Sequence, residues 1–500
     1  MRYTIGIDLG TSSVKAALLG EDGVVAATAS HDYPILAPRP DWAEQDPDDW
    51  WDATCAALRA ALTQAGAAPR DVAAVAVGGQ MHGTVLLDEA GRLVRPAIIW
   101  PDGRAVAEAA RAHSALEARG LVARLGGGVS PGFMLASLLW LRDHEPALWD
   151  QAPTALLPKD YLRYRLTGAR GAEPSDGCGV PLVDLRTWDW SAEACDALGL
   201  PIRLFPPLAA SAGVAGVIVH EAAAETGLRP GTPVLYGGGD QAMAALGAGL
   251  LTPGALLISL STGGQLVTPI NSPLPDPTAG TRTLCHALPG VYLALSATLG
   301  AGLSLRWLRD TLFDERGPDA GARVIALAAT AEPGAAGLLF LPYLAGERAP
   351  LLDPDASGAL IGLRLDHGRA HIARAVLEGI AYSLRHALEP LQEGGVRTER
   401  IILAGGLARA PLMQEIVAGV LKRPITPLRT VEQSALGAAL LAAVGAGFYP
   451  DLATACRAAV AYGPPIEPRG AAVVRYDAAY AVYRALYPRL RGAMHMLRRQ

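Results

Sequence analysis

Lysine is nearly absent from this chain. It occurs at positions 15, 159 and 422, and arginine supplies the rest of the 43 basic residues. No lysine follows a glycine, so the chain has no Gly-x4-Gly-Lys-Ser/Thr loop, and the P-loop nucleotide-binding proteins are excluded. A Gly-x-Gly-x-x-Gly pattern after a strand is missing as well, which excludes the usual dinucleotide-binding fold.

Cysteine is also scarce, and its pattern fits neither a metal site nor a disulfide framework. The cysteines are odd in number and widely spaced, as is typical of reduced thiols inside a cell; they stand at positions 55, 178, 195, 285 and 456. His220 and Glu221 begin like a zinc protease motif, but Ala224 occupies the position of the second histidine. His367 and His371 lie at an expected helix start, which favours a solvated helix end over a metal site.

Excess charge and long apolar runs are lacking too. A formal charge of -5 gives no basic surface for nucleic acid or for an acidic membrane, so we expect neither as a partner. The apolar run 435–446 is short and rich in Ala and Gly, which predicts a buried helix and no membrane span. Because a strand is expected within three residues of the start, we expect no signal peptide and a cytoplasmic location. The length of 500 residues exceeds one core and predicts two to four domains.

The first fifteen residues are the most informative part of the chain. A predicted apolar strand at 3–8 carries one carboxylate, Asp8, and runs at once into a small, hydroxyl-rich turn at 10–13. A buried, ionised Asp8 costs free energy unless a cation compensates it. The turn offers backbone N–H groups without bulky side chains, which suits a phosphate. The segment therefore indicates a site for a metal-bound nucleotide, with an ordinary hairpin and a turn-initiating aspartate as the alternative.

Strands and helices alternate along the chain, which indicates an α/β protein. The sequence predicts strands at 3–8, 14–19, 24–28, 72–77, 84–88, 97–99, 234–236 and 400–403. It predicts helices at 46–65, 370–391, 412–421 and 434–446.

The sequence pattern of the N-terminal strand and turn occurs a second time in the chain. Residues 7–11 align with residues 258–262 at an offset of 251 residues, which is half of the chain. Such an internal duplication predicts two similar domains, 1–251 and 252–500, with the ligand in the cleft between them. Only the first copy keeps its carboxylate, because Ser259 stands at that place in the second. We therefore expect one hairpin to serve a metal and the other mainly to hold phosphate.

Asp240 is the second candidate for chemistry. A predicted strand ends in the glycines 237–239, and Asp240 then opens an Ala-rich helix. Three successive glycines remove side-chain bulk around one carboxylate, as a ligand that must reach it would require. At that position Asp240 would act as a general base toward a bound hydroxyl. Capping of the helix is the alternative role, and the two are compatible.

Two further loops follow strand ends and carry polar groups. Two glycines frame Met81 and His82, which favours a ligand contact, with a satisfied hydrogen-bonding histidine as the alternative. Trp100 offers an aromatic face that packs on sugar C–H groups, while Asp102 and Arg104 offer charges that bind hydroxyls. A turn with a local ion pair explains the same residues equally well.

The turn Gly405-Gly406 lies between a predicted strand and a helix, which lets a planar base lie against the backbone. Many α/β proteins contain such turns, so the pattern is weak by itself. The loop 341–350 is expected to be ordered and shows no distinctive chemistry.

Taken together, these motifs resemble those of the FGGY carbohydrate kinases, over essentially the whole chain. The segments that carry the resemblance are 6–12, 44–51, 79–83, 157–162, 238–240 and 340–350. The Gln-Met-His-Gly sequence at 80–83 is of the type found in members that act on xylulose. The resemblance implies duplicated actin-like ATPase domains, of the ribonuclease H-like kind, on either side of a central cleft.

The resemblance also implies an activity, the ATP-dependent phosphorylation of D-xylulose to D-xylulose 5-phosphate with Mg²⁺. Asp240 would be the catalytic base, and Asp8 a second catalytic carboxylate; both would lie near the metal. The residues expected to contact the sugar are Met81, His82, Asp240, Trp100 and Asp102. Those expected to contact ATP are Thr11, Ser12, Ser13, Thr262, Gly263, Gly405 and Gly406. The family often forms homodimers, although no feature of this sequence marks an interface.

Three departures from the family's pattern leave alternatives open. Pro101 replaces a frequent asparagine near the sugar, so a kinase of another ketose or polyol, such as ribulose, xylitol or gluconate, is the first rival. The second phosphate turn reads Ser-Thr-Gly-Gly at 261–264, and Ala410 follows the diglycine turn; these changes only alter which atoms hold ATP. A nucleotide switch like actin or Hsp70 is the rival from another class, and it would need neither the 80–83 loop nor Asp240.

Overall fold

The computed structural model describes residues 1–275 and 280–498. Each half of the chain forms one large sheet with helices packed on it. Within the described ranges, every helix is too short or too polar to cross a membrane.

The first half of the chain opens with four strands, and groups of helices and strands follow one another after them. Its strands are β1 (Tyr3–Leu9), β2 (Ser13–Gly20), β3 (Val25–Asp32), β4 (Glu44–Gln45), β5 (Val72–Gly79), β6 (Val85–Leu87), β7 (Ala97–Ile98), β8 (Thr154–Leu156), β9 (Val183–Asp184), β10 (Asp189–Trp190), β11 (Val214–Val217) and β12 (Pro233–Gly239). Its helices are α1 (Pro47–Ala65), α2 (Val106–Ala118), α3 (Met134–His144), α4 (Pro146–Trp149), α5 (Pro158–Thr167), α6 (Pro174–Gly177), α7 (Ala192–Leu198), α8 (His220–Thr226) and α9 (Asp240–Gly247).

The second half has fewer strands and longer helices. Its strands are β13 (Gly254–Leu260), β14 (Gly264–Ile270), β15 (Thr281–Cys285), β16 (Tyr292–Thr298), β17 (Leu339–Leu341), β18 (Ala359–Ile361), β19 (Thr398–Ala404) and β20 (Ile425–Pro427). Its helices are α10 (Gly302–Trp307), α11 (Ala320–Ala328), α12 (Arg369–Glu393), α13 (Pro411–Leu421), α14 (Gln433–Gly445), α15 (Leu452–Ala459) and α16 (Gly470–Arg498).

The two large sheets repeat one topology. The first has the order β3-β2-β1-β5-β12 with β11 at one edge, and the second has β16-β14-β13-β19-β20 with β15 at the other. In each, three antiparallel strands are followed by two strands parallel to the first. Asp8 pairs with Lys15 across its hairpin, and Ser259 pairs with Gln265 at the same place. The duplicated α/β fold expected from the sequence is therefore confirmed.

Helix α1 shows how the sequence sets element boundaries. Asp46 has extended backbone and accepts a hydrogen bond from the Asp48 backbone N–H, which caps the helix start. The chain leaves the helix at Gly66, whose φ of 61° is left-handed. Between these ends Trp50 and Leu58 face the first sheet and are fully buried.

Helices α9 and α14 pack against each other between the two sheets. A Cβ atom on Gly247 of α9 would lie 1.9 Å from the Gln433 carbonyl oxygen. A Cβ atom on Gly437 of α14 would lie equally close, at 1.9 Å, to the Met243 carbonyl oxygen. Glycine at these two positions therefore lets the helix backbones touch.

Helix α14 belongs to the second half of the sequence, yet it covers the first sheet. It contacts β1, β2, β5 and β12, and Thr4 of β1 donates a hydrogen bond to the Ala439 carbonyl oxygen at 3.0 Å. One apolar core joins Leu19 and Ala76 of the first sheet to Ile402 of the second through α9 and α14. The two halves are therefore held together by a continuous core.

Candidate active site

A cavity of about 1980 Å³ lies between the two halves. The parallel strands β1, β5, β12, β13 and β19 all point their carboxyl ends toward it. In α/β proteins this is the edge of the sheet at which ligands bind. Asp8, Met81, Asp240 and Ser259 meet there, each from a different strand end.

Asp240 is the first residue of α9 and faces the cavity half-buried. Gly239 is the residue before the helix, and no described side chain caps it there. Asp240 is therefore not the N-cap residue; its carboxylate interacts with the backbone and the side chain of Gln241, the next residue of the helix. Burial, and then the negative charge of Asp8, raise the pKa of Asp240 to about 7. A carboxylate with such a pKa is suited to taking a proton from a hydroxyl near neutral pH.

The three glycines before Asp240 are required by the protein itself. Gly237 has a φ of 79°, and a Cβ atom there would lie 1.8 Å from the Val77 carbonyl oxygen of β5. A Cβ atom on Gly238 would lie 2.8 Å from the Ser175 hydroxyl oxygen, and one on Gly239 would lie 3.0 Å from the Met81 sulfur. The glycines therefore let neighbouring segments converge behind Asp240, and the expectation that they also clear a path for a ligand stays a prediction.

Asp8 lies one residue before the end of β1 and lines the same cavity. The Ser434 hydroxyl, near the start of α14, donates a hydrogen bond to its Oδ1 atom at 2.9 Å. Burial raises the pKa of Asp8 above its ordinary value. Lys15, the partner of Asp8 across the hairpin, pairs with Glu432 at 2.6 Å, so this basic side chain is engaged with another carboxylate.

His82 is held in one orientation and stays neutral. Its backbone is left-handed, with a φ of 74°, and its Nδ1–H donates to the Gly179 carbonyl oxygen at 2.7 Å. The ring stacks on Phe133, with centroids 4.0 Å apart and an interplanar angle of 12°. Burial, followed by the positive charge of Arg282, lowers the pKa of His82 to about 3. Nε2 is therefore unprotonated and can accept a hydrogen bond from a ligand hydroxyl.

Trp100 and Asp102 make different contacts from each other. The Trp100 Nε1–H donates to the Thr11 hydroxyl oxygen at 2.9 Å, so the aromatic ring is fixed beside the first hairpin turn. The buried Asp102 carboxylate accepts hydrogen bonds from Arg104 at 2.8 and 2.9 Å and from the Ala43 backbone N–H at 2.6 Å. The local ion pair considered as the alternative is present, and a sugar contact of Asp102 stays a prediction.

The residues predicted to bind ATP divide into two groups. Thr11, Gly405 and Gly406 line the cavity. A Cβ atom on Gly405 would lie 2.4 Å from the Leu260 carbonyl oxygen, whereas one on Gly406 would meet open space. The other four residues are not among the described residues that line the cavity. They lie in or beside the hairpin turns at its rim, and they are Ser12, Ser13, Thr262 and Gly263.

The loop 341–350 carries more chemistry than its sequence indicated. Arg348 lines the cavity, and the buried Glu347 accepts hydrogen bonds from the backbone N–H groups of Leu299 and Arg348 at 2.8 and 2.7 Å. Burial raises the pKa of Glu347 to about 7. The expectation of an ordered loop without distinctive chemistry is therefore wrong in its second part.

Three other residues of the site were missed by the sequence interpretation. No sequence pattern marks Phe133 or Ser434 as a site residue. An aromatic residue just before a helix, like Phe133, and a serine in the first turn of a helix, like Ser434, are both common. Arg282 carries a weak signal, since it is the single charged residue of β15. Only the folded chain brings these positions to the cavity.

Comparison with known proteins agrees with this geometry. The model of the FGGY family of carbohydrate kinases, N-terminal domain, matches residues 3–247, and that of the C-terminal domain matches residues 256–446. The chain is 33% identical over 488 residues to xylulose kinase of Bacillus subtilis (strain 168), with 97% of each chain covered. It is 37% identical over 446 residues to xylulose kinase of Escherichia coli (strain K12), covering 88% of this chain and 90% of the relative. The crystal structure of xylulose kinase from Rhodospirillum rubrum matches with a TM-score of 0.91 at 34% identity, covering 99% of this chain and 100% of that one.

Proposed function

This chain belongs to the FGGY family of carbohydrate kinases, and we propose that it transfers the terminal phosphoryl group of ATP to D-xylulose. The products would be D-xylulose 5-phosphate and ADP. The observation that carries the proposal is the half-buried Asp240, with a pKa of about 7, in one cavity with Met81 and His82. The relatives named xylulose kinase support the choice of sugar.

Asp240 acts as the general base in this proposal. The terminal hydroxyl oxygen of the sugar attacks the γ-phosphorus, and Asp240 takes the hydroxyl proton as the new O–P bond forms. The bond between the γ-phosphorus and the β–γ bridging oxygen breaks, and ADP leaves. Phosphoryl transfer depends mostly on positioning and on charge neutralisation. The main contribution of Asp240 is therefore that β12 and α9 hold its carboxylate in place.

The acidic pair fits a magnesium ion that arrives with the nucleotide. Asp8 and Asp240 line one cavity, and the charge of Asp8 adds to the raised pKa of Asp240, a repulsion that a cation would relieve. Groups of three or more His, Cys, Asp or Glu side chains able to hold a metal do not occur among the described residues. Mg²⁺ needs only one or two carboxylates when phosphates and water complete its shell, and Asp8, with Asp240 beside it, would supply them. When bound, it would neutralise charge on the phosphates.

ATP would lie across the two hairpin turns. Thr11 offers its backbone and hydroxyl at the first turn, and the open side of Gly406 leaves space for the adenosine. The rim residues Ser12, Ser13, Thr262 and Gly263 would reach the phosphates when the nucleotide is bound. Backbone N–H groups in such turns suit phosphate oxygens.

A kinase for another ketose or polyol is the alternative, because Pro101 lines the cavity without a hydrogen-bonding side chain. A nucleotide switch is less compatible with the site, since a protonatable base with a pKa near 7 beside His82 has no use in nucleotide binding alone.

The test is sugar-dependent ADP release with Mg²⁺. D-xylulose is compared with D-ribulose, L-ribulose, xylitol, glycerol and gluconate, in the wild type and in Asp240→Asn. Asp46→Asn is a matched control, because Asp46 also lies at a helix start but is not among the described residues that line the cavity, and Asn caps helices as well as Asp.

We expect D-xylulose to give the highest kcat/KM, and Asp240→Asn to lower kcat at least about 1000-fold with ATP affinity nearly unchanged. Preference for another sugar would retain a kinase and overturn the assigned substrate. Turnover of Asp240→Asn close to that of the wild type would remove Asp240 as the base.

A further inference from the structure

Arg282 enters the cavity from the second half of the chain. It lies on the edge strand β15, which docks on the glycine loop 126–128 of the first half. Its Nη1–H donates to the Gly128 carbonyl oxygen at 2.7 Å, and its guanidinium lies 4.7 Å from the centre of the Phe133 ring. The side chain is therefore fixed against the two elements that close this end of the cavity.

Most of the donor capacity of Arg282 is unused. A guanidinium has five N–H bonds. Among the described residues, Nε and Nη2 have no hydrogen-bond partner and are buried, while the side chain itself lines the cavity. No carboxylate of the described chain pairs with Arg282, and burial, followed by the charge of Arg348, lowers its pKa to about 10. Buried donors without acceptors cost free energy, which an acceptor supplied by a ligand would recover.

A series of neighbouring side chains in the cavity wall leads from Asp240, the proposed base, to Arg282. Met81 contacts the segment just before Asp240, and His82 follows Met81 in the chain. The His82 ring stacks on Phe133, and Phe133 contacts Arg282. A chain-like ligand that starts at Asp240 and runs along this wall therefore ends at Arg282.

The chemistry of the substrate says what lies at that end. In a 2-ketopentose, ring closure joins the oxygen on C5 to C2, so the ring form lacks the free C5 hydroxyl, which is the group that receives the phosphoryl. The sugar that reacts at this hydroxyl must therefore be the open chain, which carries a free C2 carbonyl. A carbonyl oxygen accepts hydrogen bonds and donates none, so it requires donors from the protein. The neutral His82 offers an acceptor through Nε2 and cannot meet this need.

We propose that Arg282 is a specificity-determining residue that binds the carbonyl end of the open-chain ketose and so distinguishes it from the corresponding polyol. The inference rests on the proposed function and adds to it the way in which the keto group is recognised. In this arrangement the unpaired N–H groups of Arg282 donate to the C2 carbonyl oxygen, an acceptor that xylulose has and xylitol lacks.

The experiment compares D-xylulose as substrate with xylitol as competitor. In Arg282→Gln we expect KM for D-xylulose to rise about 10- to 100-fold, while kcat, KM for ATP and the inhibition constant of xylitol each change less than about threefold. Arg282→Lys retains charge and donors without the planar fork and should give an intermediate KM.

Arg124→Gln is the matched control. Arg124 also joins neighbouring segments, but it is paired with Asp184 at 2.6 Å and Glu193 at 2.8 Å outside the cavity. We expect its KM values to match those of the wild type.

The possible outcomes separate the inference from the function on which it rests. An unchanged KM for D-xylulose in Arg282→Gln would overturn the inference alone. Equal losses for xylulose and xylitol, or a raised KM for ATP, would indicate a structural role and overturn it as well. A wild type that phosphorylates gluconate in preference would assign Arg282 to a carboxylate, and one without D-xylulose activity would overturn the proposed function itself.

Discussion

Asp8 and Asp240 line the same cavity, and both have a pKa above the ordinary value. Burial is the main cause for each, and the charge of Asp8 adds to it for Asp240. His82, in contrast, is kept neutral by burial and by nearby arginines. Asp240 therefore changes charge near neutral pH, and His82 does not.

The activity should follow the titration of Asp240. Protonated Asp240 cannot accept the proton of the sugar hydroxyl, so we expect kcat/KM to fall about tenfold per pH unit below pH 7 and to level off above it. His82→Asn should raise KM for the sugar without moving this midpoint, because Asn tolerates the left-handed backbone and His82 does not titrate near pH 7. A midpoint that moved with His82 would assign the titration to the histidine.

The raised pKa of Asp240 also predicts a pH-dependent cost in stability. The folded protein binds the Asp240 proton more tightly than the unfolded chain does, so the stability present below the ordinary pKa of 3.8 is lost as the pH rises from there to the folded pKa of about 7. Asp240→Asn should therefore stabilise the protein by about 2–4 kcal/mol at pH 8 and by less at pH 5. Urea unfolding of both proteins at the two pH values, without Mg²⁺, measures this; an equal difference at both would contradict it.

Helix α14 is the element on which the site depends most. Its first turn supplies Ser434 to Asp8, and its body separates the two sheets. The sequence predicted a helix at 434–446, and the structure has it at Gln433–Gly445. What the sequence did not indicate is that the glycines of this helix are places of backbone contact.

Gly437→Ala should destabilise the protein and reduce its activity together. The added Cβ atom would lie 1.9 Å from the Met243 carbonyl oxygen, so α9 and α14 must separate. We expect a loss of about 2–3 kcal/mol in the free energy of unfolding, with a lower kcat because Ser434 moves away from Asp8. Gly445→Ala is the matched control on the same helix, since the atoms nearest to its Cβ would be side-chain carbons of Leu235, at 2.7 Å, and not backbone atoms of α9. Equal effects of the two variants would contradict the argument.

The accuracy of the sequence predictions varied from element to element. Helix α1 was expected at 46–65 and is found at Pro47–Ala65, because a cap and an apolar stripe mark it clearly. Helix α16 was not expected, since Pro488 lies inside it and its buried side consists mainly of tyrosines. These tyrosines pack on α12, so only the tertiary contact shows why the segment is helical.

The same division holds for the site. Asp8, Met81, His82 and Asp240 were predicted for the site because each lies near a strand end beside glycines, and all four line the cavity. Arg282 was not found, because its place in the cavity depends on β15 docking against the other half of the chain. Distant docking of this kind leaves no local pattern in a sequence.

The whole molecule is two repeats of one topology joined by a common core. The repeat was visible in the sequence, but the exchange of α14 onto the first sheet was not. Because the core is continuous, neither half buries its sheet without the other. This distinguishes the molecule from two domains connected only by a linker.

We therefore expect both halves to unfold in one transition. Eight of the nine tryptophans precede residue 252, so tryptophan fluorescence reports on the first half, while the tyrosines packed between α12 and α16 report on the second. Urea transitions followed by tryptophan fluorescence and by tyrosine absorbance should coincide. Midpoints separated by more than about 0.5 M urea would show that the halves unfold separately.

The position of α14 also has a consequence for biosynthesis. Ribosomes make the chain from its N-terminus, so the strands of the first sheet emerge long before Gln433–Gly445, the helix that covers them. During that interval an apolar sheet face of the nascent chain is exposed, and such faces recruit chaperones or aggregate. The last quarter of the polypeptide thus completes the folding of the first.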